Sequence, residues 1–255
     1  MSTETAVSVK AAIILGSAST AARALAHEFA RAGYALVLGD FDREENETIA
    51  RDVRTRFQTP CHAVFFDATD YDTHPAFAES CREKLGGWPE GVVVCFGYMP
   101  VQAEAQADFA KARRAIDTNF TGAVSILERF AAVFEARQSG FIVALSSVAG
   151  DRGRQSNYIY GASKGGLTVY LEGLRNRLYK AKVQVLTVKP GFMDTKMTYG
   201  MPLPGPLVAT PEQAARDIFG ALRKGKDTVH VRFFWRYIML IIRHIPEWQF
   251  KKMNI

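Results

Sequence analysis

Short apolar runs and segments of helical period alternate along the chain. Ala11 to Leu15 (AAIIL) is apolar at every position and stops at Gly16, after which a helical pattern over 21–32 closes at Gly33. The run 35–39 (ALVLG) ends in Asp40, and a helix follows from Glu44. Further runs at 62–66, ending in Asp67, at 91–96, ending in Gly97, and at 141–145 (FIVAL) are separated by helical patterns, the longest from about Phe109 to Arg137. A sixth run over 183–189 ends in Pro190-Gly191, and Thr210-Pro211 caps and starts a later helix. Strands and helices at this rhythm predict one α/β domain over 1–255: a doubly wound parallel sheet of about seven strands, with helices on both faces.

In such a sheet the ligand lies at the carboxyl ends of the strands, and those ends are chemically suggestive. Strand, Gly16 turn and helix form the opening of a dinucleotide-binding Rossmann unit, where a helix N-terminus receives pyrophosphate. Ser17, Ser19 and Thr20 offer hydroxyls there, and small side chains from Ser17 to Ala22 let a ligand approach the backbone. As a glycine motif the turn is weak, and a plain strand-turn-helix connection is the competing reading. Asp40 is placed to accept hydrogen bonds from an adenosine ribose diol. A 2′-phosphate would meet that carboxylate with Phe41, not an arginine, beside it. NAD(H) is therefore favoured, with NADP(H) kept open by Arg43. Asp42 reads as a cap for the next helix.

The fifth run delivers Ser146 and Ser147 to the same edge, and a helical stretch then carries Tyr160 and Lys164. At i and i+4 these two share a helix face, Cβ atoms about 5–6 Å apart. A cation there favours the phenolate, so the spacing predicts a phenol with lowered pKa, usable as acid or base. Tyr158 competes, but its i+4 partner is Ala162. A serine reaching the same point from a strand end would hold a carbonyl oxygen while the phenol protonates it. Tyr-x-x-x-Lys by itself is more often a solvated helix face. Asn119 is an amide in apolar surroundings, readable as the satisfier of a backbone kink.

Composition changes this picture little: 48% apolar and 23% charged residues are ordinary for a globular protein. Cys61, Cys81 and Cys95 lie far apart, which predicts no metal site and no disulfide framework and suits a cytoplasmic setting. The N-terminus MSTETAVSVK has no long apolar run and does not read as a secretory signal. Charge is more telling. The net charge is +6, and 232–255 holds Arg232, Arg236, Arg243, Lys251 and Lys252 against Glu247 alone. The excess sits on one segment instead of a nucleic-acid groove, so no nucleic acid is expected as partner. On a helix the three arginines share one side and Phe234, Trp235, Ile238, Ile241, Ile242 and Ile245 the other, with Pro246 breaking the pattern. Such a segment packs on the domain or on a second subunit, or lies on the cytoplasmic membrane surface as a peripheral contact. The Pro/Gly-rich loop 199–206 is a candidate cover for a substrate.

Taken together these residues resemble the short-chain dehydrogenase/reductase superfamily over nearly the whole chain. The resemblance implies an NAD(P)(H)-dependent enzyme interconverting a ketone and a secondary alcohol, as a homodimer or homotetramer. It places the catalytic set on Asn119, Ser147, Tyr160 and Lys164, with Asn119 holding a water that connects Lys164 to solvent. It places the ribose acid on Asp40 and the adenine-pocket acid on Asp67 with Ala68 beside it. Gly97 follows, and the nicotinamide loop runs through Pro190, Gly191, Met193 and Thr195. Tyr160 and Lys164 serve the cofactor as well. Two positions depart from the pattern: Thr20 and Ala22 replace glycines, and Cys95-Phe96-Gly97-Tyr98 stands for Asn-Asn-Ala-Gly. SSVAGDRGRQSNYIYGASKGGL (146–167) and the aromatic 234–255 stretch are similar to the branch of polyprenylphosphoryl 2-keto-ribose reductases. That similarity implies a keto sugar on a polyprenyl phosphate and a role in cell-wall polysaccharide synthesis. Another small-molecule ketone, such as a steroid, free sugar or acyl thioester, is the alternative, and a non-catalytic nucleotide sensor is a third reading.

Overall fold

The computed structural model describes residues 10–200 and 204–254. The reading of the N-terminus as lacking a secretory signal, and the middle of the 199–206 loop, fall outside those residues. Strand β1 (Ala11–Leu15), helix α1 (Thr20–Arg31), β2 (Ala35–Asp40), α2 (Arg43–Phe57), β3 (Cys61–Phe65), α3 (His74–Leu85) and β4 (Gly91–Val94) make the first half. The second half holds α4 (Gln102–Ala107), α5 (Phe109–Ile116), α6 (Gly122–Arg137), β5 (Gly140–Leu145), α7 (Tyr158–Leu178) and β6 (Val183–Pro190). It continues through the two-residue strands β7 (Phe192–Met193) and β8 (Val208–Ala209), α8 (Pro211–Arg223), β9 (Thr228–Val231), α9 (Trp235–His244) and α10 (Glu247–Phe250).

Seven parallel strands form one sheet in the order β3-β2-β1-β4-β5-β6-β9. The order reverses between β1 and β4, so a crevice opens beyond their carboxyl ends, where open α/β sheets bind ligands. One apolar layer, with Leu25, Phe29, Leu38, Val93 and Ile218, lies under α1, α2 and α8. The other, with Phe77, Ile126, Phe130, Leu167 and Leu171, lies under α3, α6 and α7. The central strands are buried on both faces, which is why their sequences read as continuous apolar runs.

Four details differ from the sequence reading, the simplest being that the fourth strand, expected over 91–96, stops at Val94. The third strand runs Cys61–Phe65, one residue earlier, because Phe66 turns off the sheet onto His74 and Phe77. The single helix expected over 109–137 is interrupted by a π-helical turn, Asp117–Thr121, that carries Asn119. The seventh strand, Thr228–Val231, is a short sheet edge that is exposed at its start, too brief to show a pattern.

Helix α9 starts at Trp235, so Arg232 precedes it, in a left-handed conformation (φ 59°), and shares no helix face with Arg236 and Arg243. Trp235 and Met239 are buried, with Phe234, Ile238 and Ile242 packed beside them around Val148, Phe192 and Leu207. Ile241, expected on that buried face, is 68% exposed and joins Phe233, Tyr237 and Leu240 on a second apolar stripe facing outward. Pro246 ends the helix as expected and opens α10. Among the described residues no helix is long and apolar enough to cross a membrane.

Candidate active site

Two cavities over the strand ends share Cys95, Phe96, Gly97 and Met197 and together make one elongated groove. The outer cavity, about 410 Å³, is lined by Gly16, Ala18, Ser19, Asp40, Asp67, Ala68 and Gly97, a size suited to a small ligand. The inner one, about 140 Å³, is lined by Ser147, Tyr160, Lys164, Pro190, Gly191, Met193 and Thr195, with Arg154, Asn157 and Trp235.

The outer end is built around Gly16. Its φ of 78° suits glycine, and a Cβ there would lie 2.5 Å from the Phe96 backbone nitrogen, so the turn sits directly against the end of β4. Ser19 caps α1 by accepting from the Ala22 N–H at 3.2 Å. The N–H groups of Thr20 and Ala21 find no partner among the described residues, whereas the Thr20 side chain, expected at the groove, lines a separate pocket between α1 and α8. A helix start in that state fits an anionic group such as a dinucleotide pyrophosphate. Ser17 does not contribute its hydroxyl, contrary to the sequence reading. That group is buried and donates to Asn46 Oδ1 at 2.8 Å, while the Asn46 amide donates to the Leu38 and Val64 carbonyls. Asn46 stands on the core face of α2 with Ile49, Ala50 and Val53. A lone amide at an apolar position was the signal for it.

Asp40 reaches the groove as expected, and its two carboxylate oxygens accept from the N–H groups of Ala18 (2.9 Å) and Asp42 (3.1 Å). Each oxygen keeps a lone pair for a ligand hydroxyl. Asp42 caps α2 through the Glu45 N–H. Arg43 stacks on Phe65, 4.0 Å from the ring centre. Asp67 accepts from the backbone and hydroxyl of Thr69. Arg114, which no pattern marked, lines the outer cavity and lies over Tyr98 at 4.5 Å.

The inner end depends on how closely α7 approaches the turn after β5. A Cβ on Gly161 would lie 2.7 Å from the Ala149 carbonyl oxygen, and one on Gly150 would lie 2.6 Å from the Gly165 nitrogen. Only hydrogens at these positions let the helix seat Tyr160 beside Ser147. Ser146 ties the two elements together by donating to the Lys164 carbonyl at 2.8 Å. Tyr158, the competing phenol, is exposed and accepts from Gln106 outside the cavity.

The electrostatics depart from the expectation of a lowered phenol pKa. Burial pushes Tyr160 up to about 12, opposed by the hydrogen bond from Ser147. Burial also pulls Lys164 down to about 8, opposed by Cys95. The Lys164 ammonium donates to the Leu145 carbonyl at 2.7 Å. Both groups line the inner cavity, and loss of water is the largest influence on each.

Asn119 is buried in its π-helical turn, as a kink satisfier would be. It accepts from the Tyr98 N–H (2.7 Å) and donates to the Tyr98 carbonyl (2.8 Å) and to Ser163 (2.9 Å). The amide thereby splints the continuation of β4 to α7, which offsets the missing Asn-Asn-Ala-Gly stretch. Its Oδ1 and the Lys164 ammonium flank Gly97, where a Cβ would lie 3.1 and 3.4 Å from them.

The nicotinamide-loop candidates Pro190, Gly191, Met193 and Thr195 line the inner cavity together. Thr195 forms a capping box with Thr198. A Cβ on Gly191 would overlap the Trp235 ring at 1.9 Å, so this loop and α9 touch directly. Lys189, at the end of β6, is paired with Asp151 at 2.7 Å in a nearly buried contact.

A parallel sheet with a dinucleotide groove at its switch point, and a serine, tyrosine and lysine gathered at one end, defines an oxidoreductase acting on CH–OH groups. The chain belongs to the short-chain dehydrogenase family, whose profile matches residues 10–202. An uncharacterized oxidoreductase of Mycobacterium tuberculosis is 34% identical over 242 residues, 94% of this chain and 96% of that one. One from Streptomyces coelicolor is 35% identical over 198 residues, 75% of each chain. Among solved structures, a short-chain dehydrogenase from Sphingobium yanoikuyae in complex with NADPH superposes with a TM-score of 0.80. It is 20% identical and is covered to 97%, against 93% of this chain. A short-chain type dehydrogenase/reductase from Mycobacterium marinum gives 0.81 at 19% identity, over 89% of this chain and 96% of its own.

Proposed function

We propose that the protein reduces a ketone to a secondary alcohol, with Tyr160 as the acid, Ser147 as the group that holds the carbonyl oxygen, and Lys164 as the residue facing the cofactor ribose. The observation that supports this best is that Ser147, a buried Tyr160 and a buried Lys164 are gathered in one inner cavity at the strand ends. A bound nicotinamide dinucleotide supplies the hydride. The groove fits such a group: Gly16, the open N–H groups of Thr20 and Ala21, Ser19, Asp40, Asp67, Ala68 and Gly97 would hold the adenosine half. Pro190, Gly191, Met193 and Thr195 would hold the other.

A phenol kept protonated far above neutral pH favours donation to a carbonyl oxygen that gains negative charge. The Ser147 hydroxyl orients that oxygen. Asn119 acts at a distance, through Tyr98 and Ser163, by keeping the Gly97 end of the groove in register. NADH is the preferred reductant in this reading, because the Asp40 carboxylate faces the ribose position while Arg43 is engaged with Phe65.

For the substrate we favour a keto sugar carried on a polyprenyl phosphate. Apolar walls from Met99, Val148, Phe192 and Trp235 suit a lipid-linked molecule. The outward stripe of Phe233, Tyr237, Leu240 and Ile241, with Arg236 and Arg243 beside it, suits an anionic membrane surface where such a molecule resides. Tyr160→Phe tests the chemistry. NADH should still bind with nearly wild-type affinity while turnover of any accepted ketone falls at least about a thousandfold. Substantial residual turnover would sink the assignment.

A further inference from the structure

Two arginines stand two residues apart in the turn before α7, and only one has its partners. Arg152 donates to the carbonyls of Ile242 and Ile245, both at 2.6 Å, and pairs with Glu247 at 3.0 Å while stacking on Phe250. Its charge is fully used in holding the C-terminal helices. Arg154 lines the inner cavity, its Nε is buried, and none of its guanidinium nitrogens finds an acceptor among the described residues. The nearest acid, Asp151, is already taken by Lys189 at 2.7 Å. The neighbouring Asn157 has a buried Oδ1 that is also without a partner, and it lines the same cavity.

A guanidinium stays charged in proteins, and burying even one of its N–H groups, here Nε, without an acceptor is costly. A protein retains such an arrangement where a ligand supplies the missing acceptors. With Lys189 neutralised by Asp151, the cavity's cations are Lys164, whose ammonium already donates to the Leu145 carbonyl, and Arg154, which has no acceptor among the described residues. We propose that Arg154 is the specificity residue for an anionic group on the substrate, a phosphate oxygen held by the guanidinium fork, with Asn157 accepting from an adjacent hydroxyl. This rests on the reading of the inner cavity as the ketone site. It narrows the substrate class to ketones bearing a phosphate near the carbonyl.

Dihydroxyacetone phosphate is a simple probe, since its phosphate sits on the carbon next to the ketone, and dihydroxyacetone is its neutral counterpart. Binding of each is measured by calorimetry on the NADH-loaded enzyme, for the wild type, Arg154→Gln and Arg154→Lys. The wild type should prefer the phosphate ester by about a hundredfold, Arg154→Gln should lose most of that preference, and Arg154→Lys should retain part of it. Dihydroxyacetone should bind all three alike. The melting temperature of Arg154→Gln should not fall, because no internal partner is lost; a fall would mark the arginine as structural and overturn the proposal. Equal binding of the phosphate ester to wild type and Arg154→Gln would also overturn it. So would a tenfold loss confined to NADH affinity, which would assign the cation to the cofactor. If binding follows the expectation but no ketone is turned over, the proposed activity fails and the anion site stands.

Discussion

Gly161 offers the sharpest test of how the fold sets the catalytic geometry. Replacing it with alanine puts a Cβ 2.7 Å from the Ala149 carbonyl oxygen, where contact normally begins near 3.3 Å. The blocking atom is backbone, so α7 must move off the Ser147 turn by about 0.6 Å. A displacement near 1 Å between reacting groups is worth about a hundredfold in rate, so the turnover number should fall roughly tenfold or more. Stability gives an independent measure. Overpacking costs about 1–3 kcal/mol, and alanine regains about 1 kcal/mol of helix propensity, leaving a net loss of about 0–2 kcal/mol. Gly173 lies on the same helix with open space around it. Gly173→Ala should therefore stabilise by about 0.5–1 kcal/mol and leave turnover unchanged. Denaturant unfolding and the loss of NADH absorbance with an accepted ketone read both quantities. A Gly161→Ala enzyme with wild-type turnover would refute the claim that this contact positions Tyr160.

Other expectations concern charge. The depressed pKa of Lys164, about 8 in the folded chain against 10.5 when unfolded, means the unfolded state binds more protons between those values, so folding stability should rise through pH 8 to 10.5. The rise is at most roughly 3 kcal/mol and should be missing from the stability profile of Lys164→Met. Tyr160 runs the other way: raised to about 12, it makes stability fall as pH climbs from 10, a fall absent in Tyr160→Phe. Breaking the nearly buried Lys189–Asp151 pair by Asp151→Asn or Lys189→Met alone should cost about 3–5 kcal/mol, and the double variant less than the sum, in a double-mutant cycle of denaturation. Because Trp235 forms part of the cavity, removal of the whole tail would confound site and surface. Leu240→Asp with Ile241→Asp is cleaner, and should abolish sedimentation with anionic liposomes while leaving turnover of a soluble ketone intact. Wild-type protein that ignores such liposomes and instead dissociates from a dimer on these substitutions would transfer the stripe to a subunit contact.

How much was legible follows from which forces write themselves into sequence. Strands buried on both faces must be apolar at every position, so β1, β2, β4, β5 and β6 were visible, and with them the chain positions that reach the groove. Asp40, Ser147, Tyr160 and Lys164 stood out by type and spacing at those ends. Protonation was misjudged, because spacing reports which charges are neighbours and not how much water each has lost. The direction of the Ser17 hydroxyl depended on Asn46, 29 residues away; the amide's apolar position marked it as buried but not which group it would meet. Nothing in the sequence pattern marked Arg154. Only folding reveals that Arg152 has acceptors and Arg154 has none.

The contact of Trp235 with Gly191 joins the loop after β6 to helix α9. The family profile matches residues 10–202, so the loop after β6 lies inside the matched span and the indole against it lies beyond it. One wall of the inner cavity thus comes from α9, while its other lining residues lie within that span. A change of substrate can be sought first in 233–250, where a new side chain at position 235 would reshape the chamber without touching Ser147, Tyr160 or Lys164.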